Sequence, residues 1–237
     1  MEMSRGLIIF AREPLPGKVK TRMAPDVGDQ AAADLYAAML EDVLELVTTL
    51  DYVRPLLFWS LETGALPCNP EFPKLQMLEQ QGTTLGERMA TAFESAFDSG
   101  MEACCIIGTD SPDLPAEYIG KAFDHLDNDE VDVVFGPAED GGYYLLGLKR
   151  CWPGLFQDIP WSTEAVLETS IKRAGKLGLR TILLPIWYDL DEMKDLRRLL
   201  DSPEAAAPRT REAAHRLLQG RTGLEPPVTI KNQESTP

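Results

Sequence analysis

Basic side chains are concentrated in one short loop of an otherwise acidic protein. Between residues 12 and 22 the chain carries a single acid, while the formal net charge of the whole chain is −15. The basic residues of the loop are Arg12, Lys18, Lys20 and Arg22. Lysine supplies a point charge and arginine a forked donor for phosphate oxygens, and Gly17 allows close approach of the backbone. We interpret the loop as a polyphosphate-binding site; the alternative is a basic loop that only faces solvent.

Two widespread phosphate-binding motifs do not match this loop. A Walker A motif would require glycine at the position of Arg12 and serine or threonine at Val19. The dinucleotide fingerprint G-x-G-x-x-G does not follow the first apolar run either. The sequence therefore argues against a P-loop kinase and against a hydride-transferring dehydrogenase.

Aspartates follow two other apolar runs. Asp110 and Asp113 come after residues 103–107, and Asp189 and Asp191 come after residues 181–184. Mg²⁺ prefers one or two carboxylates together with phosphate oxygens of a ligand, so acids at separate strand ends could converge on one ion. We favour metal binding for Asp110. For Asp113 we favour an N-cap of the following helix, and a capping role is also an alternative for Asp191 or Asp195.

Residues 81–88 connect a predicted strand to a predicted helix. Arg88 falls in the first turn of that helix, where it can reach a ligand phosphate or sugar, and we place Gly82 and Arg88 among the candidate phosphate contacts. Thr84 fits an N-cap, with Glu87 completing a capping box. Capping and ligand binding are compatible at this position.

Two further segments are candidates for the side of the site that binds the acceptor. Asp140, Gly141 and Gly142 fit a hairpin turn, but the second glycine also indicates close approach of a ligand or of another part of the backbone. Trp161 precedes Ser162 and Thr163, which fit the start of a helix with either hydroxyl as N-cap.

The apolar pattern predicts alternating strands and helices. Runs at residues 6–10 and 103–107 are typical of strands buried on both faces of a sheet. Further strands are predicted at 56–59, 75–78, 131–135, 143–146 and 181–184. Helices are predicted at 29–50, 85–99, 116–127, 163–176 and 209–218, with another after Asp191. This alternation predicts a mostly parallel, doubly wound α/β sheet with some antiparallel pairing.

Composition narrows the function classes. The negative charge of the chain disfavours broad contact with nucleic acid or with anionic membranes. The apolar run near the N-terminus is too short for a membrane span, and we expect a cytoplasmic location. The four cysteines form no C-x-x-C pair, so we interpret them as reduced core residues: Cys68, Cys104, Cys105 and Cys151.

Taken in order, these segments resemble a bacterial family of uncharacterised proteins regarded as glycosyltransferases. The resemblance covers residues 6–200 and rests on the segments 14–22, 81–89, 108–114, 139–147 and 189–191. The family is similar to the 2-phospholactate and molybdopterin guanylyltransferases. It implies the three-layer α/β/α Rossmann-like fold of the nucleotide-diphospho-sugar transferases, also called GT-A-like, with a mixed, mostly parallel sheet.

The resemblance also implies roles for individual residues. The lysine-bearing loop would hold phosphates, and Asp110, Asp189 and Asp191 would hold Mg²⁺ or Mn²⁺. Asp110 and Lys20 are then the candidate catalytic residues. Relatives often have Thr-Pro after the late aspartates, where this chain has Glu192 and Met193, which weakens the expectation that a helix starts there.

We therefore expect a metal-dependent transferase that acts on a nucleotide-sugar or a nucleoside triphosphate and on an unknown acceptor. The alternative is a non-catalytic nucleotide-binding regulatory domain. We expect one domain over residues 1–201, a helical extension over 202–219 and a flexible tail over 220–237. Homo-oligomerisation stays open.

Overall fold

A computed structural model describes residues 4–66, 72, 75–202 and 206–221 of the chain. In this part of the chain, seven strands form one sheet. The strands are β1 (Arg5–Arg12), β2 (Arg54–Ser60), β3 (Gln76–Glu79), β4 (Ala103–Ile107), β5 (Val133–Pro137), β6 (Tyr143–Leu148) and β7 (Thr181–Leu183).

The strand order across the sheet is β3-β2-β1-β4-β6-β5-β7. The pairs β1·β2, β1·β4, β2·β3 and β5·β7 are parallel, and β6 is antiparallel to both β4 and β5. The carboxyl ends of all described strands other than β6 therefore lie at the same edge of the sheet. The amino end of β6 lies at this edge as well. This confirms the predicted mixed, mostly parallel sheet, including the antiparallel pair β5·β6.

Helices cover both faces of the sheet. They are α1 (Ala24–Val27), α2 (Asp29–Thr48), α3 (Leu85–Asp98), α4 (Ala116–Leu126), α5 (Val166–Lys176), α6 (Met193–Asp201) and α7 (Pro208–Arg221), with a 3₁₀ turn at Pro153–Phe156. The side chains of α2 and α4 pack on one face, and those of α3 and α5 pack on the other. The predicted three-layer arrangement is confirmed.

Alternation along β4 shows why both layers form. Cys104 packs with the α3 side of the sheet and Cys105 with the α2 and α4 side, because successive strand residues point to opposite faces. Both are buried free thiols, as predicted, while Cys151 is half-buried and Cys68 lies outside the described residues. Burial raises the pKa of Cys104 to about 12 and that of Cys151 to about 11.

A third apolar cluster joins the C-terminal helices to the rest of the fold. Leu190 and Met23 are fully buried in it, against side chains of α2, α6 and α7. The buried carboxylate of Asp42 on α2 accepts hydrogen bonds at the start of α7 from the backbone N–H and hydroxyl of Thr210, both at 2.7 Å. Helix α7 thus packs on the sheet domain. The domain boundary at residue 201 and the flexible tail over residues 220–237 stay predictions.

Several boundaries differ from the prediction by one to three residues. Helix α5 begins at Val166 rather than at residue 163, and its N-cap is Ala165 rather than Ser162 or Thr163. The hydroxyl oxygen of Thr163 accepts from the backbone N–H of Ala165 at 3.3 Å, just before the helix. Strand β5 begins at Val133, two residues later than expected. Among the described residues, no helix is long and apolar enough to cross a membrane.

Candidate functional site

An open cleft of about 950 Å³ lies at the edge of the sheet where the parallel strands end. This volume is in the range of small-molecule sites, and the location is the one where open α/β sheets bind ligands. Residues predicted for the site that line the cleft are Arg12, Lys18, Lys20, Arg22, Arg88, Asp110, Asp140, Gly142, Trp161, Asp189 and Asp191. Gly17, Gly82 and Gly141 do not line it, and their backbone conformations shape the surrounding turns.

Lys20 lies at the centre of the charged groups. Its side chain is 2% exposed, and Nζ donates hydrogen bonds to Oδ1 of Asp110 at 2.5 Å and to Oδ1 of Asp191 at 3.0 Å. Arg22 adds a longer contact of 3.4 Å to Oδ2 of Asp191. The backbone of Lys20 has φ +48°, in the left-handed region. The fold thus brings a cation from the loop after β1 next to acids that follow two other strands.

The charges in this group stabilise one another. Burial disfavours the ammonium of Lys20, but the neighbouring carboxylates of Asp110 and Asp191 outweigh burial and raise the pKa of Lys20 above its usual value. The surrounding protein also disfavours the carboxylate of Asp110, although half of this side chain is exposed, and the charge of Lys20 outweighs that effect and lowers the pKa of Asp110. Lys20 and Asp110 are therefore charged at neutral pH.

Asp189 is placed differently from the other two acids. Burial, followed by the charge of Asp110, raises the pKa of Asp189 to about 7. Ser111 Oγ lies 2.9 Å from Oδ1 of Asp189 and 3.0 Å from the carbonyl oxygen of Tyr188. The backbone N–H of Leu190 donates to the carbonyl oxygen of Asp110 at 2.8 Å. These bonds tie the loop after β4 to the loop after β7.

The donor chemistry of this group fits a hard divalent cation that shares its ligands with a bound phosphate. Asp110, Asp140 and Asp191 lie near enough to Asp189 to raise its pKa, so negative charge accumulates there. Among the described residues, no group of three or more His, Cys, Asp or Glu is arranged so that it could hold a metal ion. Carboxylates that leave several positions for ligand oxygens are the arrangement Mg²⁺ prefers.

Asp113 is not the helix cap that the sequence suggested. The N-cap of α4 is Pro115, and Asp113 is buried with its Oδ2 accepting from the Tyr188 hydroxyl at 2.6 Å. Trp187 Nε1 makes a longer contact of 3.4 Å to Oδ1 of Asp113. Asp113 therefore braces the segment that leads to Asp189, from outside the cleft.

The aspartates after β7 divide between the cleft and the following helix. Asp195 accepts backbone hydrogen bonds from Asp191 and Glu192 at 3.1 and 2.7 Å and completes a capping box in which Glu192 is the N-cap. The departure from Thr-Pro at Glu192 and Met193 therefore still permits a helix start. Asp191 is free of capping and points at Lys20.

The loop after β1 is held by residues that the sequence did not single out. Glu13 is buried and accepts from the hydroxyl of Thr63 at 2.5 Å and from the backbone N–H of Thr63 at 2.9 Å. The hydroxyl of Tyr36 accepts from the backbone N–H of Arg12 at 2.9 Å and lies 2.8 Å from Thr109 Oγ1. Glu13 could have been noticed in the sequence as the single acid of the basic loop. Nothing in the sequence distinguishes Tyr36.

The turn before α3 carries the predicted capping box. Thr84 accepts from the backbone N–H of Glu87, and Glu87 accepts from that of Thr84. Arg88 donates to the carbonyl oxygen of Gly82 at 3.0 Å and to Ser60 Oγ at 3.1 Å. At Gly82, φ is +135° and a Cβ would lie 2.8 Å from the backbone nitrogen of Arg88. Gly82 thus permits the tight turn that directs Arg88 at the cleft.

The opposite wall of the cleft depends on close packing around two glycines. At Gly141, φ is +89° and a Cβ would lie 2.1 Å from the carbonyl oxygen of Glu164. At Gly86, a Cβ would lie 3.0 Å from Nε1 of Trp161, so this glycine makes room for the indole. Asp140 accepts from the backbone N–H of Gly142 at 2.8 Å, as a hairpin turn requires, and still lines the cleft.

A family comparison agrees with this architecture. The model of the family "Uncharacterized protein conserved in bacteria (DUF2064)" matches residues 43–163. Among solved structures, a "putative nucleotide-diphospho-sugar transferase" from Desulfovibrio desulfuricans G20 is 31% identical, with a TM-score of 0.79, over 93% of this chain and 96% of that chain. None of the curated proteins matches the chain.

More distant structures share the fold alone. A 4-diphosphocytidyl-2C-methyl-D-erythritol synthase is 16% identical, with a TM-score of 0.54, over 85% of this chain and 100% of that chain. A cytidylyltransferase from Leptospira borgpetersenii serovar Hardjo-bovis (strain JB197) is 12% identical, with a TM-score of 0.51, over 94% and 98%. The chain belongs to the bacterial DUF2064 family and has the Rossmann-like fold of the nucleotide-diphospho-sugar transferases.

Proposed function

We propose that this chain is a metal-dependent transferase that binds a nucleoside triphosphate or a nucleotide-sugar in the cleft. The observation that carries the proposal is the buried ammonium of Lys20 in the loop after β1, held between Asp110 and Asp191. Arg12, Lys18, Arg22 and Arg88 line the same cleft in a protein of net charge −15. The description of the relative that is 31% identical points to the same class of reaction.

The chain's own residues can exchange partners when a polyphosphate binds. Without ligand, the charge of Lys20 is balanced by two carboxylates. Phosphate oxygens would replace these carboxylates as the partners of Lys20, while Arg12 and Arg88 would contact the phosphates from either side. Charge-assisted hydrogen bonds of this kind are short and strong, and they orient the phosphates for transfer.

The carboxylates of Asp110, Asp189 and Asp191 would hold Mg²⁺ or Mn²⁺, which supplies positive charge next to the leaving phosphate. In the transfer, an acceptor oxygen forms a bond to the α-phosphorus or to the sugar carbon. The bond from that atom to the leaving phosphate oxygen breaks, and its electron pair stays on pyrophosphate or on the nucleoside diphosphate. Lys20 would stabilise the charge that develops on the leaving group.

A second candidate is a regulatory domain that binds a nucleotide without turning it over. The observation that favours it is that no described side chain is placed as an obvious nucleophile. Binding with no release of pyrophosphate or nucleoside diphosphate, across a broad panel of acceptors, would support it.

Thermal unfolding tests the ligand class. A ligand at a hundred times its dissociation constant stabilises the folded state by about 2.7 kcal/mol. For a chain of this length the unfolding midpoint should rise by about 5–11 °C. We expect this rise with at least one nucleoside triphosphate or nucleotide-sugar in Mg²⁺ or Mn²⁺, and a smaller one in EDTA.

The pattern of shifts separates the outcomes. A preference for triphosphates favours nucleotidyl transfer, and a preference for nucleotide-sugars favours glycosyl transfer. If no nucleotide of either kind, with any common base, shifts the midpoint in either metal, the proposal is wrong.

A further inference from the structure

The loop after β1 and helix α3 line the cleft with basic side chains, and two other segments line it with acids. The side that we call cationic consists of Arg12, Lys18, Lys20, Arg22 and Arg88. The side that we call acidic comprises the turn between β5 and β6 and the segment before α5, and its lining residues are Asp140, Gly142, Trp161, Ser162, Thr163 and Glu164. Neither of these two segments, residues 138–142 and 157–165, contains a lysine or arginine. On the cationic side, Asp110 and Asp191 balance Lys20, and Arg88 belongs to α3.

An aromatic wall forms part of the acidic side. Trp161 is half-buried over Gly86, where the indole fills the space that a Cβ would occupy. Leu85 and Met89 of α3 continue the wall, and Leu85 is 44% exposed. The hydroxyl of Tyr143 contacts the sulfur of Met89 at 3.8 Å. A rigid apolar face of this kind suits the C–H face of a ring compound.

The polar groups beside this wall offer both donors and acceptors. The carboxylate of Glu164 is exposed and has no hydrogen-bond or ion-pair partner among the described residues. Asp140 uses one carboxylate oxygen on the backbone N–H of Gly142. Within the described ranges, the Ser162 hydroxyl and the Trp161 indole N–H have no hydrogen-bond partner either. Carboxylates accept hydrogen bonds, the indole N–H donates, and the hydroxyl does both.

A ligand must complement all of these groups. A phosphate or carboxylate would meet two acids, which is repulsive, and Arg88 on the neighbouring helix α3 donates instead to Gly82 and Ser60. A simple ammonium compound would satisfy the acids but offers no acceptor to the indole N–H, so hydroxyl groups are required. A neutral polyhydroxyl compound supplies donors to the acids, acceptors to the indole and hydroxyl groups, and a C–H face to the wall.

We propose that the acceptor of this transferase is a polyhydroxyl compound without an anionic group, a sugar or polyol that carries no phosphate or carboxylate, bound against Trp161 and Glu164. The inference rests on the proposed function, because it places the nucleotide phosphates on the cationic side. One acceptor hydroxyl oxygen forms the new bond, the bond to the leaving phosphate breaks with its electron pair, and the hydroxyl proton passes to solvent.

Matched acceptors test the inference on the full chain. The chain is incubated with Mg²⁺ and the nucleotide that gives the largest rise in unfolding midpoint. Methyl glycosides of glucose, mannose and galactose are compared with the 6-phosphates of the same sugars. The readout is the acceptor-dependent release of pyrophosphate or nucleoside diphosphate. We expect at least one methyl glycoside to be used at least tenfold more efficiently than its phosphorylated counterpart.

Opposite preferences overturn the inference. A faster reaction with the sugar phosphates, or no reaction with any of the methyl glycosides, shows that the acceptor class is wrong. In each case a nucleotide-dependent rise in midpoint leaves the proposed function standing. A missing rise is a failure of the proposed function itself.

A charge reversal at Glu164 sharpens the test without endangering the fold, since this side chain is exposed. Glu164→Lys should narrow the preference for the methyl glycoside over the 6-phosphate about tenfold, while the nucleotide-dependent rise in midpoint is retained. Asp98→Lys is the matched control: Asp98 is exposed at the end of α3, outside the cleft, and the charge change is identical. Equal effects of the two variants would show that only net charge matters and would contradict the assignment of Glu164.

Trp161→Ala tests the aromatic wall. We expect a higher KM for the neutral acceptor with little change in kcat, because the indole binds rather than reacts. Trp152→Ala is the control, since Trp152 stacks on Arg150 and lies outside the cleft lining. An unchanged KM in a folded Trp161→Ala protein would overturn the role of the wall.

Discussion

On the cationic side of the cleft, charged side chains hold one another in place, whereas the acidic side is held by steric fit. Lys20 is positioned by two carboxylates and by a loop that Glu13 anchors. Trp161 and Glu164 are positioned because glycines at 86 and 141 leave room for them. The first arrangement can exchange partners with a ligand, while the second gives a fixed surface.

The difference predicts opposite responses to substitution. Ion pairs that reach solvent contribute little to stability, so their loss should lower mainly the affinity for a ligand. A steric clash in a packed turn destabilises the folded protein whether or not a ligand is present. Variants on the two sides should therefore separate stability from binding.

The largest effect on stability is expected for Gly141→Ala. A non-glycine residue at this φ carries a strain of about 1–3 kcal/mol, and overpacking against Glu164 adds about 1–3 kcal/mol. The free energy of unfolding, measured by chemical denaturation, should fall by the sum of both. Gly178→Ala is the control, because Gly178 has φ +72° and nothing within 4 Å of a built Cβ. Equal losses in the two variants would show that the contact with Glu164 costs nothing.

The largest effect on binding is expected for Lys20→Met. Hydrogen bonds to charged groups contribute about 1.5–3 kcal/mol, so affinity for the nucleotide should fall roughly ten- to a hundredfold. The protein should stay folded, since the side chain of Asp110 is half exposed and its charge can be hydrated. Lys18→Met, at a residue that is 56% exposed and paired with Glu62, should have a much smaller effect in the same titration. A Lys20→Met protein that binds nucleotide as tightly as the wild type contradicts the phosphate-binding role.

The two sides also differ in how far the sequence predicts them. Residues 12–22 stand out because their charge opposes that of the chain, and the strand pattern places Asp110 and Asp191 at the same edge. That Lys20 bridges these two acids depends on the order of β1, β4 and β7 in the sheet, which charge alone does not show.

The acidic side depends on contacts between distant segments. The sequence suggested Asp140 and Trp161 as candidates, but Glu164 carried no signal because a single exposed acid is ordinary. In the sequence, Gly86 is an ordinary residue at the start of a predicted helix. The structure shows that the Trp161 indole lies against it. For Asp113, the expected cap was wrong because a tyrosine 75 positions away binds its carboxylate.

Tyr188→Phe tests the brace behind Asp189 and should have a moderate effect. The variant removes the 2.6 Å hydrogen bond to the buried carboxylate of Asp113, which keeps a longer contact with Trp187. Because one partner remains, the loss in free energy of unfolding should lie at the low end of the range for an unsatisfied buried group, about 1 kcal/mol. Tyr52→Phe, at a partly exposed tyrosine on the opposite end of the sheet, should change stability less. If both variants unfold at the same denaturant concentration as the wild type, the brace is not stabilising.

The smallest effect on stability is expected for the double variant Lys18→Ala and Arg22→Ala. Both side chains are more than half exposed, and their contacts with Glu62 and Asp191 are surface ion pairs. Removing such pairs changes stability little, so the unfolding midpoint without ligand should stay close to that of the wild type. Affinity for a nucleoside triphosphate should fall about two- to tenfold, because each lost charge removes one exposed contact to phosphate. Affinity for the corresponding nucleoside should not change, since the nucleoside carries no phosphate, and parallel calorimetric titrations measure both. An equal loss for nucleoside and triphosphate would mean that the loop shapes the cleft instead of binding phosphate, and the cationic side would then resemble the acidic side in acting through steric fit.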